Sequence, residues 1–393
     1  MPEFPEHHCR IEIEGGDEYV SQIKAYSISS DYTVPTDGWS VDLYDHEKGS
    51  ELRKVFLPLT PVRIYIDNAL QCVGRIDVTE GIENSGLRIQ GRDYIADLAD
   101  ASVDPTLKFK KSTSLADAIL DIFEPFGVVV VASEGNAAFR NILTGGSVSS
   151  DVKIAPDRSH VTAKLDEFKA NYNTGAFQLA ANIAARHGFT IQPTERRDTV
   201  ALCEPEYGTK AVYKLSRGQF GNLLRGSARR DWSRVPTLAI AHGKATQTGK
   251  KNTTSRKLEA LDELGPTLEE AEILSAVNAQ SVRRKPGEGA SPGFYRPMYM
   301  QDSKARNQEQ LERFLRRAVS DRRHPTLTYR ASVRGHKDPE TDAYFAVDTT
   351  ARVFDEIENI DEDLWIKSRT FANSGQGPTT ELELIRPGTW VVS

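Results

Sequence analysis

The feature that most constrains this chain is a short segment that occurs twice. Near the N-terminus, Ile23 to Tyr44 runs through Ser29-Ser30-Asp31-Tyr32-Thr33-Val34-Pro35 and then Gly38-Trp39-Ser40-Val41-Asp42-Leu43-Tyr44. Far downstream, Gly221 to Gly243 runs through Gly221-Asn222-Leu223-Leu224-Arg225-Gly226, a polar turn at Asp231-Trp232-Ser233-Arg234-Val235-Pro236, and then Thr237 to Gly243. Each copy reads strand, Asp-aromatic, Val-Pro, strand. The turn residues Asp31, Tyr32, Val34, Pro35 and Asp231, Trp232, Val235, Pro236 therefore mark the same small β unit present twice. A chain of 393 residues is too long for one compact core, so several domains are expected in any case.

Residues 1–104 carry the strand signals of the first unit. Cys9 to Glu14 alternates apolar Cys9, Ile11, Ile13 with Arg10, Glu12, Glu14. Val62, Ile64 and Ile66 alternate with Arg63 and Tyr65 up to Asp67-Asn68, a hairpin signal. Leu70 to Val78 follows, with Gly74 at an expected bulge, and Leu87 to Gln90 closes the set. Short strands with turns between them fit a small barrel or sandwich.

At 105–205 the period changes. Ser112 or Ser114 caps a helix carrying Leu115, Ile119, Ile122 and Phe123, and Val128 to Val131 reads as a buried strand. A second helix spans about Thr174 to His187, with the His187-Gly188-Phe189 corner as its cap. Strands follow at Thr190 to Gln192 and Thr199 to Leu202. This is an α/β module.

Residues 206–245 and 324–393 form the second β unit, with strands expected at Leu327 to Val333, Tyr344 to Val347, Arg352 to Phe354, Leu364 to Ser368 and Thr380 to Ile385. Val353, Trp365, Leu382 and Leu384 echo Ile64, Val73, Leu87 and Ile89. Residues 246–323 interrupt this unit as a helical and loop insertion. Lys244 to Lys257 and Ser281 to Pro297 are loop-like, Thr267 to Asn278 is helical, and Lys304 to Arg322 is an amphipathic helix with Leu311, Phe314, Leu315 and Val319 on one face. The fold class is α+β and mainly β: two similar small barrels, an α/β module and a helical insertion.

Composition excludes several functions. A net charge of −6 gives no overall nucleic-acid footprint. Three cysteines, Cys9, Cys72 and Cys203, are too few and too scattered for a disulfide framework, and Cys72 and Cys203 read as small core residues. The start lacks the charged and apolar regions of a secretory signal, and the longest apolar run is too short for a membrane span. His7-His8-Cys9 lacks the spacing of a metal site and reads as a frayed terminus. The basic run Lys244, Lys250, Lys251, Arg256, Lys257 lacks a phosphate-loop pattern and reads as a solvated loop. Trp39, Trp232, Trp365 and Trp390 read as core anchors. No glutamate stands out in an apolar setting as a glycosidase acid would, so no catalytic residue, cofactor or metal is assigned.

Three stretches make the chain resemble the baseplate hub proteins of contractile-tailed phages, most closely the Mu-like hub family. They are Gly91-Arg92-Asp93 through Asp97-Leu98-Ala99-Asp100, Gly221-Asn222-Leu223-Leu224 through Asp231, and the Lys304 to Arg322 helix with the closing strands at Thr326 to Gly335, Leu364 to Ile366 and Thr379 to Leu384. The order of these stretches carries the likeness more than any single one. The chain departs from the family pattern at Gly335-His336, where the family has Gly-Trp, and at Tyr344-Phe345-Ala346-Val347, where it has Trp-x-Pro-Asn. Its insertion from Lys244 to Asp302 is also long and polar. The resemblance implies a non-enzymatic homotrimer in the tail baseplate, assembled in the host cytoplasm. Its two barrels per chain would adapt a three-fold spike to a six-fold tube. The implied partners are the spike protein, the tube or tube-initiator protein and other baseplate proteins, with DNA passing through and no membrane insertion. On that reading the acidic run Asp355, Glu356, Glu358, Asp361, Glu362 and Asp363 is expected to line the central channel, its charge keeping DNA off the wall. A peptidoglycan-binding or -degrading tail-tip protein, acting through 105–205, is the competing reading.

Overall fold

The computed structural model describes residues 7–14, 19–20, 23–34, 36–44, 53–82, 86–110, 113–132, 168–169, 174–185, 189–194, 198–205, 207, 210–218, 221–236, 238–248, 253–262, 296–302, 308–323, 326–374 and 377–388. The chain divides into two compact units, one built from Met1–Arg229 with Thr328–Gly388, the other from Arg230–Leu327.

The first unit is mainly antiparallel sheet. Its opening strands are β1 (Cys9–Ile13), β2 (Tyr19–Val20), β3 (Ile23–Asp31), β4 (Gly38–Tyr44), β5 (Pro61–Ile66), β6 (Ala69–Ile82) and β7 (Gly86–Asp93). They lie side by side in the order β3-β4-β7-β6-β5-β1-β2. Alternation decides which face is buried: Val62, Ile64 and Ile66 of β5 are fully covered while Pro61, Arg63 and Tyr65 stay half-exposed. Asp67 and Asn68 both take positive φ, 48° and 67°, and make the tight β5–β6 turn that this dipeptide announces. The ladder irregularities in β6 fall beside Gln71 and Asp77 rather than at Gly74. Gly74 serves a close approach instead: a Cβ there would lie 2.1 Å from the Arg92 carbonyl oxygen.

A short helix, α1 (Ile95–Asp100), leads into β8 (Lys108–Phe109), α2 (Leu115–Phe123), β9 (Val129–Ala132), β10 (Phe168–Lys169), α3 (Ala176–Ala185), β11 (Thr190–Pro193) and β12 (Thr199–Cys203). Ser114, not Ser112, caps α2, its Oγ accepting from the Asp117 amide at 3.2 Å. β12 pairs with β9 in parallel and with β11 antiparallel. Leu115, Ile119 and Phe123 of α2 and Ala176 and Ala180 of α3 share one core with Tyr94, Ile95 and Leu98. The core thus continues across residues 104–105, the expected domain edge.

The remaining strands of this unit are β13 (Tyr213–Ser216) and β14 (Leu223–Arg229) and, after the other unit, β18 (Thr328–Arg334), β19 (Thr349–Asp355), β20 (Ile360–Ser374) and β21 (Gly377–Ile385). Tyr344 to Val347, expected as a strand, is a buried loop with a single bridge from Tyr344 to Lys337. Its polar backbone is satisfied by backbone and side chains together: the Phe345 amide donates to the His336 carbonyl and the Phe345 carbonyl accepts from Arg369.

The other unit holds β15 (Leu238–Thr248), β16 (Thr253–Asp262), β17 (Pro297–Asp302) and α4 (Gln308–Arg323). β15 pairs with β16 antiparallel and with β17 in parallel. Ala239 and Ala241 pack with Leu311, Leu315 and Val319 of α4. This corrects two expectations. Lys244 to Lys257 is largely a β-hairpin and not a loop, because backbone pairing and β-branched Thr sustain strands that carry no hydrophobic run. Leu238 to Thr248 also does not follow β14 in the repeat. It belongs to this separate sheet, and the strand that plays the part of β4 is β18. The Thr267 to Asn278 segment lies outside the described residues.

The repeat is exact in topology. β14-β18-β21-β20-β19 follow one another in the sheet as β3-β4-β7-β6-β5 do. Irregular features coincide as well. The β3–β4 ladder shifts between Ile23 and Ala25, the β14–β18 ladder between Leu223 and Arg225. β6 is interrupted between Ile76 and Val78, β20 between Ile366 and Ser368. Leu59 (φ 72°) and Asp348 (φ 58°) hold the same left-handed position. Their amides donate to the Ile76 and Ile366 carbonyls at 2.7 and 3.0 Å. Thr79 donates to the Phe56 carbonyl at 2.9 Å, and Arg369 to that of Phe345 at 2.6 Å. These matches align Leu382 with Ile89 and Trp365 with Arg75. Among the sequence echoes, only Val353 with Ile64 keeps its register.

Candidate functional site

The chain's distinctive construction is where the two repeats meet. β20 is long enough to hold β19 with residues up to Ile366 and then β3 with Ser368 to Asn373. The paired residues run from Ser368 with Asp31 to Asn373 with Tyr26, so the two repeats form one continuous sheet.

Side chains lock this junction. Tyr32 is 4% exposed, sits edge-on to Trp365 with centroids 5.3 Å apart, and sends its amide to the Lys367 carbonyl at 2.9 Å. Arg369 is buried beneath β3, with its guanidinium 4.2 Å from the centre of the Phe371 ring. Burial pulls its pKa below the usual range, and Asp37 is the main opposing charge. Burial pushes the Asp37 carboxyl up to about 6, against the Ser30 hydroxyl at 2.5 Å and the Arg369 charge. The Asp37 amide donates to Asp93 Oδ2 at 3.0 Å, and the Asp93 carboxyl is pushed up by burial and then by Asp37. Two neighbouring carboxyls with raised pKa could suggest acid–base chemistry. Here Asp93 is 2% exposed and Asp37 is held by Ser30, so both are committed to the junction. Sequence reading passed over this pair because the two residues are far apart in the chain and neither sits in an apolar run.

A second lock involves His336, fully buried. Thr380 Oγ1 donates to the Gly335 carbonyl at 2.6 Å, so it accepts from His336 Nδ1 at 3.1 Å. This leaves Nε2 to accept from the Tyr26 hydroxyl at 2.8 Å. Burial, and then His7, lower the His336 pKa to about 3. His7 stacks on His336 with centroids 4.6 Å apart and its Nδ1 lies 2.5 Å from Asp67 Oδ2. His7 is therefore docked and not frayed, because Asp67 and the imidazole stack give it partners a terminus rarely finds. Among the described residues no group of three His, Cys, Asp or Glu side chains is placed to hold a metal ion. Cys9, Cys72 and Cys203 are free and buried.

The repeat turns have matching chemistry. Asp31 Oδ1 accepts from the Thr33 amide and hydroxyl at 2.8 and 2.7 Å, and Asp231 Oδ1 from the Ser233 amide and hydroxyl at 3.0 and 2.6 Å. Val34 is exposed, Val235 half-buried and Pro236 buried; Pro35 lies outside the described residues. Trp39 and Trp365 are core residues, Trp232 is half-buried, and Trp390 lies outside the described residues.

The acidic residues fall on the β19–β20 hairpin. Asp355 is 0% exposed. It accepts Arg217 Nε and Nη2 at 2.7 and 2.9 Å and the Tyr329 hydroxyl at 2.6 Å. Burial would raise its pKa, but the Arg217 and Tyr329 hydrogen bonds outweigh this and hold it low. Its carboxylate is engaged inside the subunit and faces no solvent. Asp361 and Asp363 pair with Arg352, and Glu362 with Arg386. Glu356 and Ile357 stand exposed at the tip, beside half-buried Glu358.

The architecture is that of prophage tail proteins. Over 98% of its length the chain superposes on the whole 43 kDa tail protein of prophage MuSo2 from Shewanella oneidensis, with 16% identity and a TM-score of 0.70. It matches the tail protein of Neisseria meningitidis MC58 with 18% identity and a TM-score of 0.69, covering 98% of each chain. A chain of the Francisella PdpA-VgrG complex shares 10% identity at a TM-score of 0.52, with 99% of this chain matching 59% of that one. No protein-family model matches the sequence, and no curated protein does.

Proposed function

We propose that this protein is a structural, non-enzymatic component of a tail baseplate, specifically its hub. It acts as a homotrimer that adapts a three-fold spike to a six-fold tail tube and lines the central channel. The observation that carries the reading is the internal duplication: two topologically equivalent β units, matched to their bulges, fused edge to edge through β3 and β20. Three chains would supply six similar units on one side while keeping three-fold symmetry on the other. The tail proteins and the VgrG-containing complex that share the fold support the same reading.

In this role Glu356, Glu358, Asp361 and Glu362 on the β19–β20 hairpin face the channel. The Arg352 and Arg386 partners reduce the net negative charge they present there. The chain's partners are its own copies, the spike, the tube or tube-initiator protein and other baseplate proteins, within the virion tail.

The test is mass measurement of the purified full chain, alone and with its cognate spike protein. A trimer that binds one spike trimer is expected. A monomer that is retained on cell-wall sacculi would overturn the hub and favour the glycan-binding alternative.

A further inference from the structure

The seam between β3 and β20 closes over a cluster of ionisable side chains drawn from both repeats. β20 contributes Arg369, 3% exposed, whose Nη1 donates to the Phe345 carbonyl at 2.6 Å and whose Nη2 donates to Gln71 Oε1 of β6 at 3.3 Å. The first repeat contributes Asp37, from the β3–β4 turn, and Asp93, the last residue of β7. Asp37 is half-buried as a residue, but its carboxyl is directed at buried Ser30 of β3 and at Arg369. Its amide ties it to Asp93 Oδ2.

The charges in this cluster do not balance. One guanidinium stands against two carboxyls. Asp93 Oδ1 is buried with no hydrogen-bond partner among the described residues, so nothing there stabilises a charge. The other groups that face the cluster bring no second positive charge to the carboxyls. Cys72 of β6, Tyr94 beside Asp93, and Tyr213 of β13 are neutral, each with its pKa pushed up by burial. Asp31 of β3 adds negative charge, and Lys367 is shared between Asp31 at 3.4 Å and Glu383 at 3.3 Å. The Ile95 and Ala96 amides at the start of α1 favour an ionised Asp93, but burial and then the Asp37 charge outweigh them.

We infer that Asp37 and Asp93 retain one proton between them at neutral pH, and that with Arg369 they form a proton-dependent clasp holding the two repeats together more tightly in acid than in alkali. Asp93 is the neutral member, and Asp37, which titrates at about 6, is the one that offsets Arg369 at pH 7. Both carboxyls bind a proton more tightly in the closed seam than when freed. Their stabilisation is therefore complete below about pH 4, the ordinary Asp value, and is lost as pH rises through about 6 and then through the higher value of Asp93. Each deprotonation adds a negative charge to a poorly hydrated cluster, and opening the seam relieves it by admitting water. For Asp37 alone, the change from 3.8 to about 6 makes the seam about tenfold easier to open at pH 8 than at pH 5. The clasp lies within one chain and stands without the hub reading.

The test is amide hydrogen exchange across β3 and β20 in the full-length chain at pH 5 to 8, corrected for intrinsic exchange rates, with wild type beside Asp37→Asn. Asparagine keeps the shape and the Ser30 contact but is neutral at every pH. The variant should match wild type at pH 5 and open about tenfold less at pH 8. Taking the difference between the two chains cancels the contribution of His336, which runs the opposite way. A variant that opens at pH 8 as readily as wild type, or more readily, overturns the proposal and leaves an ordinary ion pair between Asp37 and Arg369. Infrared spectra of the wild-type chain give a second reading that needs no variant to fold. The carbonyl stretch of a protonated carboxylic acid should persist at pH 7 and vanish on titration to alkaline pH; its absence at pH 7 overturns the clasp. Loss of that band in Asp93→Asn confirms where the proton sits, and its persistence there places the proton outside the cluster and overturns the inference.

Discussion

Replacing Asp355 separates a structural carboxylate from its solvent-facing neighbours on the same hairpin. Asp355→Ala removes the acceptor for Arg217 Nε, Arg217 Nη2 and the Tyr329 hydroxyl, and for the Ile357 amide at 3.1 Å. Tyr329 is fully buried, so its orphaned hydroxyl costs about 1–3 kcal/mol. The Arg217 side chain is 24% exposed and regains water in part, so its share is discounted to about 1 kcal/mol. The sum is about 2–4 kcal/mol of local stability, against less than about 0.5 kcal/mol for Glu356→Ala at the exposed tip. Because the folded-state pKa of Asp355 is depressed, its contribution is complete above about pH 4, the ordinary Asp value, and is lost as pH falls through the lower folded value. Asp355→Asn should fall between the two, keeping the shape without the charge. The assay is amide hydrogen exchange across β13 and β19, which form one parallel pair next to Asp355. If Asp355→Ala exchanges like Glu356→Ala, the ion pair is not structural and the assignment of Asp355 to the interior is wrong.

Gly91→Ala should destabilise the first repeat by about 1–3 kcal/mol or more in thermal melts, because a Cβ there would lie 1.9 Å from the Arg75 carbonyl oxygen and 2.5 Å from the Trp39 ring. His336 stays neutral when folded, with a pKa of about 3, but is an ordinary imidazole when unfolded. Its stabilisation is therefore complete above about pH 6.5 and declines as pH falls toward 3, and His336→Gln should flatten that slope in denaturation series at pH 7 to 4. A thiol reagent should label none of Cys9, Cys72 and Cys203 in the native chain and all three in denaturant, since all are buried and burial, then the Asp67 charge, push the Cys9 thiol up to about 12.

Much of the fold was legible because it follows from local rules. Alternation in Val62 to Ile66, the Asp67-Asn68 turn and the Leu115 to Phe123 stripe each fix an element within a few residues. The Asp-aromatic and Val-Pro turns exposed the duplication because Asp31 and Asp231 do the same local work for the amides two residues on. Other elements were concealed. The part of the β15–β16 hairpin from Lys244 to Lys257 is polar and carries no hydrophobic run to announce it. The second repeat's β4 counterpart lies beyond the insertion, so reading straight on from Pro236 selects the wrong strand.

Sequence by itself determined that a β unit is present twice and which residues face a core. Only the tertiary structure decided how the copies join. The repeat's register lives in backbone features: coincident ladder shifts, paired left-handed residues at Leu59 and Asp348, and the long β20 shared by two partners. Backbone hydrogen bonds do not depend on side-chain identity, so the equivalences Gly81 with Phe371 and Thr79 with Arg369 leave no trace in the letters. These side chains differ because one copy of the strand is covered by β3 within the chain while the other, among the described strands, pairs on that side with none. That contrast appears only when strands more than three hundred residues apart are brought into one sheet.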